Sequence, residues 1–478
     1  MSQILSTSHL RTSDVGVFCH SEAERSRGEE SGSMENFFKE NKILTIILLG
    51  SFLASLAYSF YFRITPAVDA RAYDVIAQNI VAGNGYREEI ENNILQDHAI
   101  TRVGPLYEYF LAGIYKVFGH NYGVVWFFQA LLHALSAWLI YLVALLIFAE
   151  KDHKRKIALW AAGIFAFYPD LIEISAMLLT ETLYLFLVCL FFYVFFRYVS
   201  WLDNWHLALA LGLISGLAVL ARPPVLFLMP VITFFFLIKK KWLPLALFLT
   251  TLFLVFVPWT YRNYQVYGEI MPFGAAGNYN FWIGNWHGGD GEQSPQPFHI
   301  AFTATHDIKE INGESIRQFK LFLQEHPVEF LKLTALRVNK YFSIARPMGW
   351  WFYQTGIGQL LFVLASAAAS VFLFVFGLAG AMKAWRLKEE KLNYLLVFTV
   401  FTPLIIFATV VETRYRFQIY PLLAIFSGYF VVGLIGIDKK WWRDRILWLA
   451  ILLVFSNGLV DLVLSFDRLK ERIMRFIL

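Results

Sequence analysis

The chain has 478 residues, of which 58% are hydrophobic, 18% aromatic and only 16% charged, with a formal net charge of +5. Soluble domains carry roughly a quarter charged residues, so this balance excludes a soluble enzyme, a disordered regulator and a nucleic-acid binder with an extended basic face. Several uncharged runs approach or exceed the ~18–20 residues that a helix needs to cross a bilayer, which makes the chain an all-α polytopic membrane protein.

In chain order, residues 1–40 open on a polar stretch without the apolar core of a signal peptide. They are expected to be a disordered cytoplasmic tail. A first transmembrane helix is expected within 41–63, followed by a long loop over 64–121. Helices two to seven fall within 122–261, a second long loop covers 262–356, and helices eight to eleven fall within 357–464. A short amphipathic tail, 465–478, closes the chain. The apolar runs lie near 43–62, 122–149, 157–169, 178–196, 207–221, 225–238, 242–260, 357–382, 392–410, 417–437 and 446–464, about eleven in all.

The charges orient this array. Alternate loops, such as Lys151–Lys156, Lys239–Lys241 and Lys383–Lys391, hold sixteen Lys and Arg, whereas the short loops opposite hold only Arg222, Arg414 and Arg416. The positive-inside rule then predicts a cytoplasmic N-terminus in the inner membrane, with both long loops outside. Helical spacing of apolar residues in Gly313–Glu325 and Val328–Phe342 predicts amphipathic helices on the outer surface. Three runs, near 157–169, 207–221 and 225–238, are too short to cross ~30 Å of hydrocarbon. Their outer turns, Tyr168-Pro169-Asp170 and Arg222-Pro223-Pro224, are therefore expected below the surface, around a cavity recessed from the outer face.

Ionisable residues gather near the outer ends of the spans, where charge is costly and usually functional. The candidates are Asp69, Arg71, Asp74, Arg102, Asp170, Glu173, Glu181, Arg222, Arg262, Arg346, Glu412, Arg414 and Arg416. The span centres lack charge, which disfavours an ion-coupled transporter. Acids and arginines around an outward cavity suit a membrane enzyme in which guanidinium forks hold a phosphate and a carboxylate takes a proton from a hydroxyl nucleophile. Tyr73, Tyr86, Trp282 and Trp286 are candidates for stacking on a sugar, set against the aromatic belt found at any membrane interface.

The segment VDARAYDVIAQNIVAGNGY, Val68–Tyr86, resembles the first outer loop of GT-C glycosyltransferases. It is most similar to glycosyltransferase family 39, the branch of protein mannosyltransferases and aminoarabinose-to-lipid A transferases. Thr101–Gly119, Tyr168–Leu187, Pro258–Asn285 and Glu412–Ala424 match in order. Pro-Trp-x-x-Arg-Asn in the third of these is the most specific. The resemblance implies a GT-C fold and inverting transfer of a hexosyl or pentosyl group from a polyprenyl-phosphate donor to an acceptor hydroxyl on the outer face. The acceptor would be a lipid, a glycan or a protein.

On this resemblance Asp69 is the catalytic acid, its pKa raised toward that of a useful base by a partly dry cavity. Asp74, one turn on, would be a supporting acid at the substrate. The family's second acid falls on Glu181, with Asp170 and Glu173 competing. Arg102, Arg262, Arg414 and Arg416 are the candidate phosphate clamp, with Tyr73 and Asn263 beside them and Arg222 and Arg346 as weaker candidates. Each arginine has the alternative of snorkelling to lipid headgroups. His98, His287, His299 and His306 lie in the long loops, but no pair has the short helical spacing of a metal site. No cofactor is expected, although a divalent cation is not excluded. The alternative function is a lipid-linked sugar transporter or flippase, which would use the same groove without chemistry. A polymerase or ligase of oligosaccharides would not normally combine the Asp-bearing first loop with Trp-x-x-Arg-Asn.

Overall fold

Residues 42–202, 204–274, 276–347, 356–435, 441–467 and 470 are described by the computed structural model. The expected N-terminal tail and most of the C-terminal one lie outside these residues. Among the described residues a helix occupies most of each of the eleven expected apolar runs: α1 (Lys42–Phe62), α4 (Tyr122–Ile147), α5 (Lys154–Ala166), α7 (Glu181–Ser200), α8 (Trp205–Ala221), α9 (Met229–Ile238), α10 (Trp242–Tyr267), α15 (Gly356–Leu387), α16 (Glu390–Phe401) with α17 (Leu404–Ala408), α18 (Tyr420–Ile435) and α19 (Arg445–Leu464). Among the described residues eight helical stretches are long and apolar enough to cross a membrane, or nine if α5 and α6 (Pro169–Ala176) form one bent span. α8 and the stretch Pro223–Ile238 are apolar but shorter.

Proline sets the breaks. Pro169 cannot donate a backbone N–H and excludes the helical conformation from the residue before it. Tyr168 is accordingly extended (φ −70°, ψ 119°), and α5 and α6 meet at 51°. The same effect ends α8 at Ala221: Arg222, ahead of Pro223, is extended (φ −153°, ψ 121°) and leads into a 3-10 turn. Both breaks sit where the short apolar runs predicted them.

The membrane bundle is held by close helix contacts rather than by an apolar-to-water gradient, because lipid is as apolar as Leu. α15 packs on α18, α18 on α5, α10 on α8, and α4 on α1, α5 and α7. Small residues permit this approach. A Cβ on Gly380 would stand 2.1 Å from the Phe426 carbonyl oxygen, and one on Gly212 would stand 2.4 Å from that of Phe248.

The two long loops pack against each other, and the side they form is called the loop face below. The first contributes α2 (Asp69–Val81) and α3 (Leu106–Phe118), which pack on each other. The second contributes α11 (Ala276–Gly284), α12 (Pro297–Thr305), α13 (Ile308–Glu325) and α14 (Pro327–Tyr341), so the expected amphipathic pair is present. Asp307 and Glu310 form a capping box that starts α13. Cations brace the second loop internally and, through Arg337 and Arg346, fasten it to the bundle. Arg337 donates to the carbonyls of Gly284 and Phe407 and, at 2.8 Å, to Asn285 Oδ1. Lys340 and Arg346 both reach Glu292, at 2.7 and 3.0 Å, and Arg346 also pairs with Asp461 of α19 at 2.6 Å.

Candidate active site

Asp69 is the first residue of α2, where a carboxylate is favoured by the helix dipole. It follows Val68 at φ 50°, a conformation that a β-branched residue adopts only under constraint. The rest of the first loop is organised by Asp97, whose carboxylate accepts backbone N–H groups of Glu88, Glu89 and Ala99 at 2.8–3.1 Å. This holds Glu88 where it grips Arg102 through both carboxylate oxygens, at 2.6 and 2.7 Å to Nη2 and 2.9 Å to Nε. Gly104 lets the loop rest on the end of α8; a Cβ there would lie 2.2 Å from the Leu220 carbonyl oxygen. Arg102 is thereby aimed at Asp69, with Nη1 3.3 Å from Oδ1.

Arg414 approaches Asp69 from the other side. It lies in a 3-10 stretch, Thr413–Ile419, whose entry is fixed by a bridge between Val411 and Glu292. Arg414 Nη2 is 2.8 Å from Asp69 Oδ2, while its Nε is 2.8 Å from Glu412 and 3.7 Å from Glu181. Glu181, the first residue of α7, also pairs with Arg222, and Arg222 donates to Thr180 Oγ1 at 3.0 Å. Tyr415 lies between the two guanidinium groups, 5.2 Å from Arg222 and 5.7 Å from Arg414, and donates through its hydroxyl to Gln293 at 2.5 Å.

Two chambers meet at this cluster. One, about 240 Å³, is mostly apolar; Leu185, Pro223, Phe227, Phe273, Ile406 and Phe417 line it, with Glu181, Arg222 and Gln418. The other, about 200 Å³, is lined by Asp69, Tyr73, His98, Thr101, Arg102, Tyr279 and Gln293. Val103, Ala276, Asn280, Arg414 and Tyr415 belong to both. A greasy pocket and a polar pocket therefore share one buried guanidinium.

Of the residues singled out from sequence, Asp69, Tyr73, Arg102, Arg414 and Glu181 line a chamber. Asp74, Arg262, Asn263 and Arg416, which the resemblance placed with them, line neither, nor do the candidate sugar-stacking rings Tyr86, Trp282 and Trp286. Asp74 is a buried hub that accepts hydrogen bonds from Tyr115, Tyr122 and Gln78 at 2.6–3.0 Å and lies 3.0 Å from His120 Nε2. Arg262 is caged by the rings of Tyr86, Trp259 and Tyr267 and donates to the Tyr86 carbonyl at 3.0 Å. Asn263 holds the Met271 carbonyl at 2.8 Å, across the turn where Gly268 at φ 70° ends α10. Arg416 donates to the carbonyls of Ser343 and Arg346 at 2.8 and 2.7 Å, tying the second loop to α18. Asp170 and Glu173 are buried in α6 and line neither chamber, so among the three candidates for the second acid only Glu181 does. Arg222, ranked low from sequence, lines the apolar chamber. Its signal was present in the short span ending at Arg-Pro-Pro. Gln293 and Tyr279 carried no sequence signal.

The electrostatics of Asp69 differ from the expectation. Burial alone would push its carboxyl up, but Arg414, Arg102 and Arg222 outweigh that and hold it below the ordinary value. Among the described residues one group of side chains comes together at metal-binding spacing, His287, His326 and Glu329, and it lines neither chamber.

Residues 97–261 match the family model of dolichyl-phosphate-mannose-protein mannosyltransferase. No curated protein sequence matches the chain. Among solved structures it is similar to the oligosaccharyltransferase of Archaeoglobus fulgidus in complex with Zn and sulfate, with TM-score 0.52 and 16% identity over 88% of this chain and 52% of that one. It is also similar to the Archaeoglobus fulgidus oligosaccharyltransferase AglB in complex with an inhibitory peptide and a dolichol-phosphate, with TM-score 0.50 and 15% identity over 90% of this chain and 56% of that one. The chain thus spans about half the length of these oligosaccharyltransferases. ArnT from Cupriavidus metallidurans, bound to undecaprenyl phosphate, aligns over 88% of this chain and 89% of that one at 12% identity and TM-score 0.39. The chain is thus an integral membrane protein by its long apolar helices, its fold is similar to that of these oligosaccharyltransferases, and residues 97–261 match the mannosyltransferase model.

Proposed function

We propose that the protein transfers a sugar from a polyprenyl-phosphate donor to an acceptor hydroxyl on the extracytoplasmic face, with inversion at the anomeric carbon. The observation that carries this reading is the position of Arg414, shared by the apolar and polar chambers and 2.8 Å from Asp69. The first isoprene units of the donor would occupy the apolar chamber, with the phosphate against Arg414 and Arg222. The acceptor would enter the polar chamber. There Asp69 takes the hydroxyl proton, the oxygen attacks the anomeric carbon, and the bond to the phosphate oxygen breaks. The phosphate gains charge as it leaves, and fixed guanidinium groups stabilise that charge in the transition state. The proposed steps use this chain's own side chains only.

The depressed pKa of Asp69 gives the resting site a safeguard. With no donor present, the arginines are spent on the carboxylate and the base is weak. A donor phosphate competes for Arg414, and the carboxylate, partly released in a buried place, becomes more basic. Deprotonation is thereby coupled to donor binding. The greater density of Lys and Arg on the loops opposite the loop face supports the assignment of the chambers to the extracytoplasmic side of the inner membrane.

The test is mass spectrometry of lipid co-purified with the full chain, joined to a transfer assay with a lipid-linked sugar. Polyprenyl phosphate and product formation are expected, and Asp69→Asn abolishes product while retaining lipid. Sugar-lipid translocation with no acceptor, undiminished in Asp69→Asn, would instead indicate a flippase.

A further inference from the structure

His287 follows α11, His326 lies in the turn between α13 and α14, and Glu329 is in the first turn of α14. Sequence separates the first of these from the other two by about forty residues, yet the fold brings all three together. Their ligand atoms all lie within 4.8 Å of one another. His287 Nδ1 stands 2.9 Å from Glu329 Oε2, and the two imidazole rings stack with centroids 5.2 Å apart. The other Glu329 oxygen, Oε1, accepts the backbone N–H of Gly288 at 2.9 Å. That bond orients the carboxylate so that Oε2 faces the imidazoles, the kind of supporting contact that fixes a metal ligand.

We propose that His287, His326 and Glu329 form a site for one Zn2+-class divalent cation on the loop face. Two imidazoles and a carboxylate suit zinc and its neighbours, whereas magnesium and calcium prefer oxygen ligands alone. Tetrahedral bonds of ~2.0–2.1 Å put neighbouring ligand atoms ~3.4 Å apart, within the spread already present. Water would complete the coordination, because His287 is exposed.

The site's place suggests its effect. Six residues after His287, Gln293 lines the polar chamber and accepts from Tyr415. Between them, Asp290 and Glu292 are held by Lys340 and Glu292 also by Arg346. An ion at His287 would clamp the near end of this loop to the α13–α14 turn, a second fastening in addition to the buried cations. It acts as a structural staple, and its binding stands apart from the transferase reading.

The experiment uses the full chain, freed of any histidine tag and stripped with chelator, in nanodiscs. Titration calorimetry with ZnCl2 is expected to give one ion per chain at micromolar affinity or tighter, and MgCl2 no saturable binding. Melting temperature should rise with free zinc, as any ligand confined to the folded state requires. His287→Gln, His326→Gln and Glu329→Gln should each weaken zinc at least tenfold, while His306→Gln, in the same loop region, should not. Co2+ in place of zinc should show visible absorption that is lost in the three variants. Wild-type protein without saturable zinc binding, or variants that bind like the wild type, would overturn the proposal. A variant that fails to fold is replaced by its Asn counterpart, judged first by a monodisperse elution profile.

Discussion

Replacing Asp69 with Asn removes one charge and almost no volume, and the fold should tolerate it because Asn also suits the start of a helix. Two effects of opposite sign follow. Loss of a positioned general base lowers kcat, typically by ~10²–10⁴. Donor affinity moves the other way. In the wild type a phosphate must draw Arg414 away from a charge-assisted bond of 2.8 Å to Asp69. Such bonds contribute ~1.5–3 kcal/mol each, and ~1.4 kcal/mol is tenfold in affinity. Freeing Arg414 alone should therefore tighten polyprenyl phosphate ~10–100-fold. The assay pairs steady-state transfer with equilibrium binding of polyprenyl phosphate to protein in nanodiscs. A collapsed kcat with a tighter lipid is the expected signature. Near-normal kcat would remove Asp69 from the chemistry, and a weaker lipid would refute the competition between carboxylate and phosphate for the same guanidinium.

The same competition predicts a pH signature. The acid limb of kcat/KM, which reports the free enzyme, should lie below the ordinary carboxylate value of 3.8, because Asp69 is held down there. The acid limb of kcat should lie higher, and coincident limbs would contradict the coupling of base strength to donor binding. Arg222→Lys keeps the charge but loses the fork, and should cut transfer by ~10²–10³, the usual cost of one transition-state donor. Arg262→Lys, in its aromatic cage outside both chambers, should alter melting temperature more than kcat. Gly104→Ala forces the first loop off the Leu220 carbonyl, and a loss of ~1–3 kcal/mol in stability is expected, measurable as a lower melting temperature with reduced activity. Burial in α3 raises the Glu108 carboxyl to about 8, with Oε1 accepting from Tyr86 at 3.0 Å. The folded state then holds a proton that the unfolded state releases above its value of 4.5. Stability should fall as pH rises from there to about 8, by up to ~1.4 kcal/mol per pH unit. Glu108→Gln should flatten that slope in thermal melts.

Much of the fold was legible because a bilayer punishes irregularity. Uncharged runs must be helical there, and the described part of each expected run is largely so. The run near 392–410 is nevertheless split into two helices, and those near 225–238 and 417–437 begin in 3-10 turns. The breaks were legible where proline made them, at Tyr168-Pro169 and Arg222-Pro223. Reading fixed the ends less well. The run near 178–196 begins its helix only at Glu181, because Met177 leaves the preceding helix in an extended conformation (φ −96°, ψ 147°). That link is what brings Glu181 to the head of a helix beside Arg222, and no periodicity in so short a segment reports it. The metal-type cluster was hidden for another reason. His326 and Glu329 are close in sequence, but the residue that completes them comes from beyond α11.

The arginines show where sequence reading stops. Arg414 and Arg416 stand two residues apart in one motif, and on the resemblance both belong to the phosphate clamp. They sit in a 3-10 stretch, in which each residue turns ~120°, so their side chains leave the axis ~120° apart. One direction opens on the chambers and Asp69; the other meets the carbonyls of Ser343 and Arg346. Had the stretch been α-helical, two residues would span ~200° and the split would be wider still. In neither geometry do both forks reach one phosphate. The two residues therefore divide the work: Arg414 meets the charge that moves in the proposed reaction, and Arg416 holds the loop that keeps Arg414 in place. Arg416→Lys should then act through Arg414, lowering melting temperature and kcat together, whereas Arg414→Lys should lower kcat with the second loop still docked. Protease nicking of residues 284–293, increased in the first variant and unchanged in the second, separates the two roles.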